Sequence, residues 1–334
     1  MIVVEAASRL HFGLLSLPPG EPGPGSGASH RGVTRCFGGV GLMVREPGLR
    51  LVVQPSDAWR AAGPLAERML AYARRVAAAA PPQAVRPLQL TLERSAPEHA
   101  GLGTGTQLAL AVAAALHAAW ALPPLPLPEA ARLLGRGQRS AIGLHGFAGG
   151  GLLVDGGHGP AGTFAPLLVR LEFPSTWRLV LALASADPGL HGTSETLAFQ
   201  RLAQAPPVPA RTDALCRLVL LGLLPAVVER DWAAFSEALQ EFNARAGEMF
   251  APVQGGPYAS GRIAELVHFV RQQGIPGVGQ SSWGPTVFAV AADEEQACDL
   301  VRRLRERFAL EETALKVTGA ANEGARLTVW GEAR

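Results

Sequence analysis

One stretch constrains the fold more than any other: Pro97-Glu-His-Ala-Gly-Leu-Gly-Thr-Gly-Thr-Gln107, followed at once by the most apolar run of the chain, residues 108–122. Glycine lets a backbone turn tightly and approach a ligand with no Cβ in the way. The apolar run is shorter than the ~20 residues a membrane span needs, and it stops at Pro123-Pro124, so it reads as a buried helix. The loop therefore delivers the chain into the start of an interior helix, whose free amides and positive dipole end face back toward the glycines. On this local pattern two readings stand side by side. One is a cradle for a di- or triphosphate built from Gly101, Gly103, Thr104, Gly105, Thr106 and Gln107, with Thr104 or Thr106 donating a hydroxyl or ligating Mg²⁺. The other is a plain glycine turn with a threonine N-cap. The loop matches neither GxxxxGK[ST] nor GxGxxG.

Composition narrows the function classes. The chain has 334 residues, 48% hydrophobic and 17% charged, which supports a sizeable core and excludes disorder. The formal net charge is +2, and no run of basic residues gives nucleic acid or a membrane surface anything to bind. Lys316 is the sole lysine, so any phosphate must be held by arginines and backbone amides. Cys36, Cys216 and Cys298 are isolated, with no CxxC and no disulfide framework. That usage, and an N-terminal stretch without a signal-peptide pattern, lead us to expect a cytoplasmic protein.

The pattern along the chain predicts an α+β protein. Strands are expected at residues 2–6, 38–45, 49–54, 88–93, 177–184, 286–291, 314–318 and 326–330, and a Gly-rich turn over 149–155 runs into a further short strand. Between 38–45 and 49–54 a Pro-Gly turn is expected. Helices are expected at 64–80, from the glycine loop to about Trp120, from Pro128 to Leu134, over most of 194–274, and at 294–308. Residues 18–32, rich in Pro, Gly and Ser, read as a loop. Breaks are expected at 205–209 and 255–257. A boundary near Pro174 divides the chain into domains 1–174 and 175–334.

Further segments carry polar residues that a mere turn does not need. Gly277-Val-Gly-Gln-Ser-Ser-Trp-Gly-Pro285 can offer amides and the side chains of Gln280, Ser281 and Ser282 to an anion or a sugar. In Gly135-Arg-Gly-Gln-Arg-Ser-Ala-Ile-Gly-Leu-His145, Arg136 and Arg139 can grip phosphate through two hydrogen bonds each. His145, Asp155 and His158 can move protons or bind a metal, but their spacing is not that of a zinc site, and a single histidine is more often a hydrogen-bonded structural residue. Arg9 and His11 alternate with apolar residues and so share one face of a strand. In Gly189-Leu-His-Gly-Thr-Ser-Glu195, Thr193 or Ser194 is a candidate N-cap, with Glu195 complementing the helix dipole. Asn243 and Glu248 are minor candidates.

Pro97-x-x-x-Gly-Leu-Gly-Thr-Gly105 resembles the Pro-x-x-x-Gly-Leu-Gly-Ser-Ser phosphate loop of the GHMP kinase superfamily. The resemblance implies an N-terminal domain like the second domain of ribosomal protein S5, followed by a ferredoxin-like C-terminal domain. Gly105 stands where the kinases carry their second serine. Where they carry Pro-Ser-Gly-x-Asp, with the Asp as catalytic base, this chain has Arg139-Ser-Ala-Ile-Gly-Leu-His145 and no carboxylate.

One branch matches along nearly the whole chain. Ser8-Arg-Leu-His-Phe-Gly13, Phe37-Gly-Gly-Val-Gly-Leu42, Gly101–Ala109, Gly135-Arg-Gly137, Val154-Asp-Gly-Gly-His158 and Gly279-Gln-Ser-Ser-Trp-Gly-Pro285 are, in this order, similar to the β-ribofuranosylaminobenzene 5′-phosphate synthases. That likeness implies transfer of phosphoribosyl from phosphoribosyl pyrophosphate (PRPP) to a ring carbon of 4-aminobenzoate, with release of CO₂ and pyrophosphate, in methanopterin biosynthesis. It also implies Mg²⁺ and a homodimer. The implied roles put the pyrophosphate with Mg²⁺ on residues 103–107, with Thr104 as a metal ligand, and a phosphate on Arg136 or Arg139. Gln280, Ser281 and Ser282 would shape the site, and Arg9 or His11 would take the benzoate carboxylate. Arg9, His11, Arg139 and Asp155 are the catalytic candidates. An ATP-dependent small-molecule kinase and a non-catalytic phosphate-ligand-binding homologue are the rival expectations.

Overall fold

The structure is a computed structural model that describes residues 1–18, 35–159, 163–183, 192–204 and 209–331. Most of the expected loop at 18–32, residues 189–191 of the glycine segment before Glu195, and most of the break at 205–209 lie outside the described residues.

The chain opens with two long antiparallel strands, β1 (Ile2–Leu14) and β2 (Gly39–Pro55). Both halves of β2 pair with β1: Leu49 to Val53 against Ala6 to Ile2, and Gly39 to Val44 against Leu14 to Ser8. The Pro47-Gly48 dipeptide therefore lies in an irregularity within one long strand rather than between two separate strands, and the register shifts there, with Leu49 opposite Ala6 and Val44 opposite Ser8. Strands β3 (Arg60–Ala62), β4 (Leu88–Arg94), β5 (Leu152–Asp155) and β6 (Leu167–Leu171) extend this sheet, as does the last strand of the chain.

Helix α1 (Ala66–Ala79) buries Met69, Tyr72, Ala73 and Val76, the 3- and 4-residue spacing of one helix face. Helix α2 (Thr104–Ala119) buries residues all round, as its composition predicts for an interior helix; it packs on β1, β2 and α1. Helices α3 (Leu127–Leu134) and α4 (Ile142–Gly149) complete the layer. Neither α4 nor β6 is expected from the sequence. Gly143, Gly146 and Gly149 weaken the helix signal in α4, and β6 has no buried position to produce an alternation.

Strand β7 (Arg178–Leu183) begins a second sheet. Helices α5 (Gly192–Ala203) and α6 (Pro209–Leu218) follow, and α6 continues through a π-helical turn (Val219–Leu223) into α7 (Leu224–Glu229). Next come α8 (Trp232–Glu248), α9 (Ala251–Gln254) and α10 (Gly261–Gln272). Strands β8 (Val278–Gln280) and β9 (Thr286–Ala291), helix α11 (Glu294–Phe308) and strand β10 (Leu315–Thr318) complete the sheet, whose order is β10-β7-β9-β8. Helices α10 and α11 pack on one face of this sheet and α8 on the other, and the strand order is that of the ferredoxin-like arrangement. Strand β11 (Arg326–Val329) then returns to pair with β1. A cut at residue 174 therefore separates β11 from its own sheet.

The two sheets meet through a shared core. Leu10, Phe12 and Leu14 of β1 join Phe235, Leu239 and Phe242 of α8 and Phe288 of β9, with the Phe12 and Phe288 ring centroids 4.9 Å apart. Packing of this kind holds the mouth between the units to fixed dimensions. No helix among the described residues is long and apolar enough to cross a membrane.

Candidate active site

The glycine loop is built to touch another backbone. Gly101 has φ +83°, and a Cβ there would lie 2.2 Å from the Ser281 carbonyl oxygen; a Cβ on Gly284 would lie 2.2 Å from the Gly101 nitrogen. Only two bare glycines allow this approach. Hydrogen bonds lock the junction. Ser281 Oγ donates to the Gly101 carbonyl at 2.7 Å and accepts from the His11 amide at 3.0 Å. The Ser282 amide donates to the His11 carbonyl, and the Arg9 amide to the Leu102 carbonyl. Strand β1, the loop before α2 and the loop after β8 thus form one rigid floor.

The helix start is open. Gly103, at φ +73°, is the N-cap of α2 and supplies no capping side chain. The alternative of a threonine N-cap does not hold, because Thr104 is already helical and its Oγ1 donates backward to the Pro97 carbonyl at 3.0 Å. Thr104, Gly105 and Thr106 of this first turn line a cavity of about 770 Å³, and of their amides that of Thr106 already donates to the Gly103 carbonyl.

Arginines crowd this end. A Cβ on Gly103 would sit 3.2 Å from Arg9 Nε, and one on Gly105 would sit 2.8 Å from Arg68 Nη2 and 3.4 Å from Arg136 Nη2. Arg9 Nη1 and Arg136 Nε are buried with no hydrogen-bond partner. Burial pushes the Arg9 pKa down to about 10, against the pull of Glu195 and Asp155. Burial, with Arg68 as a second cause, pushes Arg136 down to about 10. Cations gathered without enough counter-charge, at the positive end of a helix, make an anion site. His11 lines the same cavity. Burial, and then Arg9, hold it well below the usual histidine pKa, so it is neutral. Its Nε2 has no partner.

Part of the cavity lining is aromatic. Phe199 of α5, Phe250 and Trp283 all line the cavity. Trp283 stands edge-on to Phe250 at 4.6 Å and to Phe199 at 5.6 Å between centroids, the tilted geometry aromatic rings prefer. Arg139 stands beside this aromatic cluster. Its guanidinium carbon lies 4.6 Å from the Phe199 centroid, and it pairs with Glu195 at 2.8 Å.

The expected site residues are therefore largely brought together. Arg9, His11, Gly101, Gly103, Thr104, Gly105, Thr106, Arg136, Arg139, Gln280 and Ser282 line the cavity. Arg9 and His11 do share one face of β1. Asp155, Gln107 and Ser281 do not line it. Asp155 is fully buried behind Ser140, accepting from Ser140 Oγ, the Ala141 amide and the Gly157 amide. It sets the start of α4, and burial raises its carboxyl above the usual range despite those bonds. Gln107 Nε2 donates to the Gly143 carbonyl and ties α2 to α4. Gln280 spends its amide on the backbone of Ala259 and Ser282. Asn243 clamps Phe12 and Gln280, and Glu248 is exposed. His145 and His158 bond the Ala165 and Thr163 carbonyls, the hydrogen-bonded structural placement expected more often of a single histidine. Among the described residues no group of three His, Cys, Asp or Glu side chains could hold a metal.

Sequence reasoning missed Arg68, Glu98, Phe199 and Phe250. All but Glu98 lie in or beside ordinary amphipathic helices, where neither charge nor aromaticity marks a site until the fold puts them at one cavity.

The chain matches the family model for the GHMP kinases N terminal domain over residues 65–152 and that for GHMP kinases C terminal over residues 223–310. It is 31% identical to the β-ribofuranosylphenol 5′-phosphate synthase of Archaeoglobus fulgidus, over 98% of this chain and 100% of that one. The chain belongs to the β-ribofuranosylphenol 5′-phosphate synthase family, on the GHMP kinase fold. The synthase of Methanothermobacter thermautotrophicus is 29% identical over 97% of this chain and 98% of its own. Among solved structures, a homoserine kinase from Cytophaga hutchinsonii aligns with TM-score 0.67 at 14% identity, covering 98% of this chain and 97% of that one. At such identity the likeness speaks for the fold.

Proposed function

We propose that this synthase-family chain joins C1 of the ribose of PRPP to a ring carbon of a para-substituted benzoate, releasing pyrophosphate and CO₂, as a step of methanopterin biosynthesis. The observation that carries the reading is one cavity lined both by a cationic helix terminus and by an aromatic cluster, with Arg139 over the ring of Phe199. A phosphorylated sugar and an aromatic acid need those two ends, held against each other.

The chemistry fits what the residues can do. The bond from C1 to the diphosphate oxygen breaks with its electron pair leaving on pyrophosphate. The first-turn amides of α2 with Arg9, Arg68 and Arg136 receive that charge in a site where it is stabilised strongly. The ring carbon bearing the carboxylate attacks the cationic C1. The electrons of the bond to the carboxylate then return to the ring as CO₂ departs. Phe199, Phe250 and Trp283 hold the acceptor ring at attacking distance, which is where most of the advantage over free solution arises. No hydroxyl nucleophile needs a base, in keeping with the absence of any carboxylate between Arg139 and His145.

Mg²⁺ would ride on the diphosphate. The cavity wall has oxygen donors of the right kind, the Glu98 carboxylate and the Thr104 hydroxyl, whose proton is committed to Pro97 and whose lone pairs are left. When bound, the ion would neutralise the leaving group. Three unpaired cysteines suit a cytoplasmic enzyme, and we expect it to act as a homodimer.

The test is incubation with PRPP and carboxyl-labelled 4-aminobenzoate. The relatives are named for a phenol, so labelled 4-hydroxybenzoate is run in parallel. Release of label with stoichiometric pyrophosphate from either acid is expected. No release from either, alongside ADP formation from ATP with an alcohol substrate, would overturn the reading.

A further inference from the structure

Tyr72 belongs to α1, away from every motif of the sequence, and is buried in the core behind the anion site, yet its hydroxyl touches two of the arginines there. Its hydroxyl accepts a hydrogen bond from Arg68 Nε at 3.0 Å and another from Arg136 Nη2, and donates to the Gly105 carbonyl at 3.4 Å. A hydroxyl has one proton and two lone pairs, and all three are engaged. Both guanidiniums also stand beside its ring, with their carbons 5.9 Å (Arg68) and 5.3 Å (Arg136) from the centroid. Glu98 pairs with Arg68 Nη1 from the other side. These restraints leave the Nη2 end of Arg68 above Gly105, in the space a side chain would otherwise fill.

Two like charges fixed this close repel each other, and one carboxylate offsets only one of them. An arrangement so constrained is stable when a multiply charged anion bridges the pair. We propose that Tyr72 is the positioning residue of a paired-guanidinium clamp, holding Arg68 and Arg136 over the bare Gly105 so that they and the first turn of α2 together receive the diphosphate of the donor. The assignment rests on the phosphoribosyl-transfer reading, but the clamp can be measured without turnover. Gly105 acquires its reason here: in place of a side chain, this chain puts two cations.

Inorganic pyrophosphate titrated calorimetrically into the full chain is the direct probe, with orthophosphate as reference. Tyr72→Phe keeps the ring and loses the hydroxyl; pyrophosphate affinity should fall about tenfold. The donor KM should rise in parallel, while kcat at saturating donor and the acceptor KM move far less. Gly105→Ala serves if Tyr72→Phe fails to fold. Gly105 has ordinary helical backbone, so alanine should keep or raise Tm. Its Cβ would nonetheless displace Arg68, and affinity should fall about tenfold or more. Pyrophosphate binding unchanged in the folded variants, or no binding by the wild type, overturns the clamp. Weakened binding without label release from PRPP and either benzoate leaves the clamp standing and removes the transferase reading. Label release with an unaltered donor KM in Tyr72→Phe does the reverse.

Discussion

The two ends of the cavity are made by different means. The cationic end is mostly backbone geometry and buried charge: bare glycines at 103 and 105, a helix start without a cap, and arginines whose hydrogen-bonding capacity is not met within the protein. The aromatic end is made of side chains that satisfy one another, with Phe199, Phe250 and Trp283 in edge-to-face contact. The first end is costly to build without its ligand; the second is a packed piece of core that happens to be open. A site for charge is therefore under electrostatic tension before anything binds, whereas a site for a flat ring is preorganised by ordinary packing. The difference predicts that perturbations of the two ends will separate kinetically.

The largest effect is expected from Arg136→Met. It removes a half-buried cation beside the leaving group, and kcat/KM for the donor should fall about 10²–10³-fold, the range for loss of one donor to developing negative charge. Initial rates with PRPP varied and acceptor saturating would show it. A fall below tenfold would mean that Arg136 only fills space. A smaller, opposite signature is expected from Phe250→Leu. Loss of an aromatic contact costs about 0.5–1.5 kcal/mol beyond area, so the acceptor KM should rise about two- to tenfold with the donor KM unmoved. If both KM values rise together, the two ends are one site and the comparison fails.

The contrast also explains what was legible in the sequence. The glycine loop, the buried helix after it and the late loop at 277–285 announced themselves, because close backbone approach demands glycine and an interior helix demands apolar residues all round. Arg9 and His11 could be placed together because a strand has a simple period. The irregularity at Pro47-Gly48 could not be told from a turn: the two differ only in whether both flanks pair with the same strand, which is a long-range fact. Asp155 carried the chemistry of a catalytic acid but serves the start of α4. Tyr72 and Arg68 look like the buried and half-buried faces of any amphipathic helix, and Phe199 and Phe250 reach the cavity only because α5 and the end of α8 are laid across it. Residues that act through contacts made by the fold leave no local trace.

The smallest expected effect is the most specific to the cationic end, and it concerns His11. Buried beside Arg9, it is held neutral well below the ordinary histidine pKa, whereas in the unfolded chain it titrates near 6.5. Below that pH the unfolded state takes up a proton the native state refuses, so stability must fall as pH drops from 7 toward 5. Above about pH 7 neither state carries the proton and this contribution to pH dependence vanishes. His11→Asn removes the titration while keeping a polar side chain at the same place. Its Tm should therefore decline less between pH 7 and 5 than that of the wild type, by a few degrees, with the two curves parallel at higher pH. Pyrophosphate bound at the neighbouring arginines would lower the local positive potential and ease protonation of His11. Saturating pyrophosphate should thus shrink the wild-type decline and leave that of His11→Asn as it was. An equal decline in both proteins without ligand would mean that His11 is not held neutral in the native state; a wild-type decline that saturating pyrophosphate leaves unchanged would mean that burial alone holds it so, and that the electrostatic tension of the cationic end does not reach beyond its own guanidiniums.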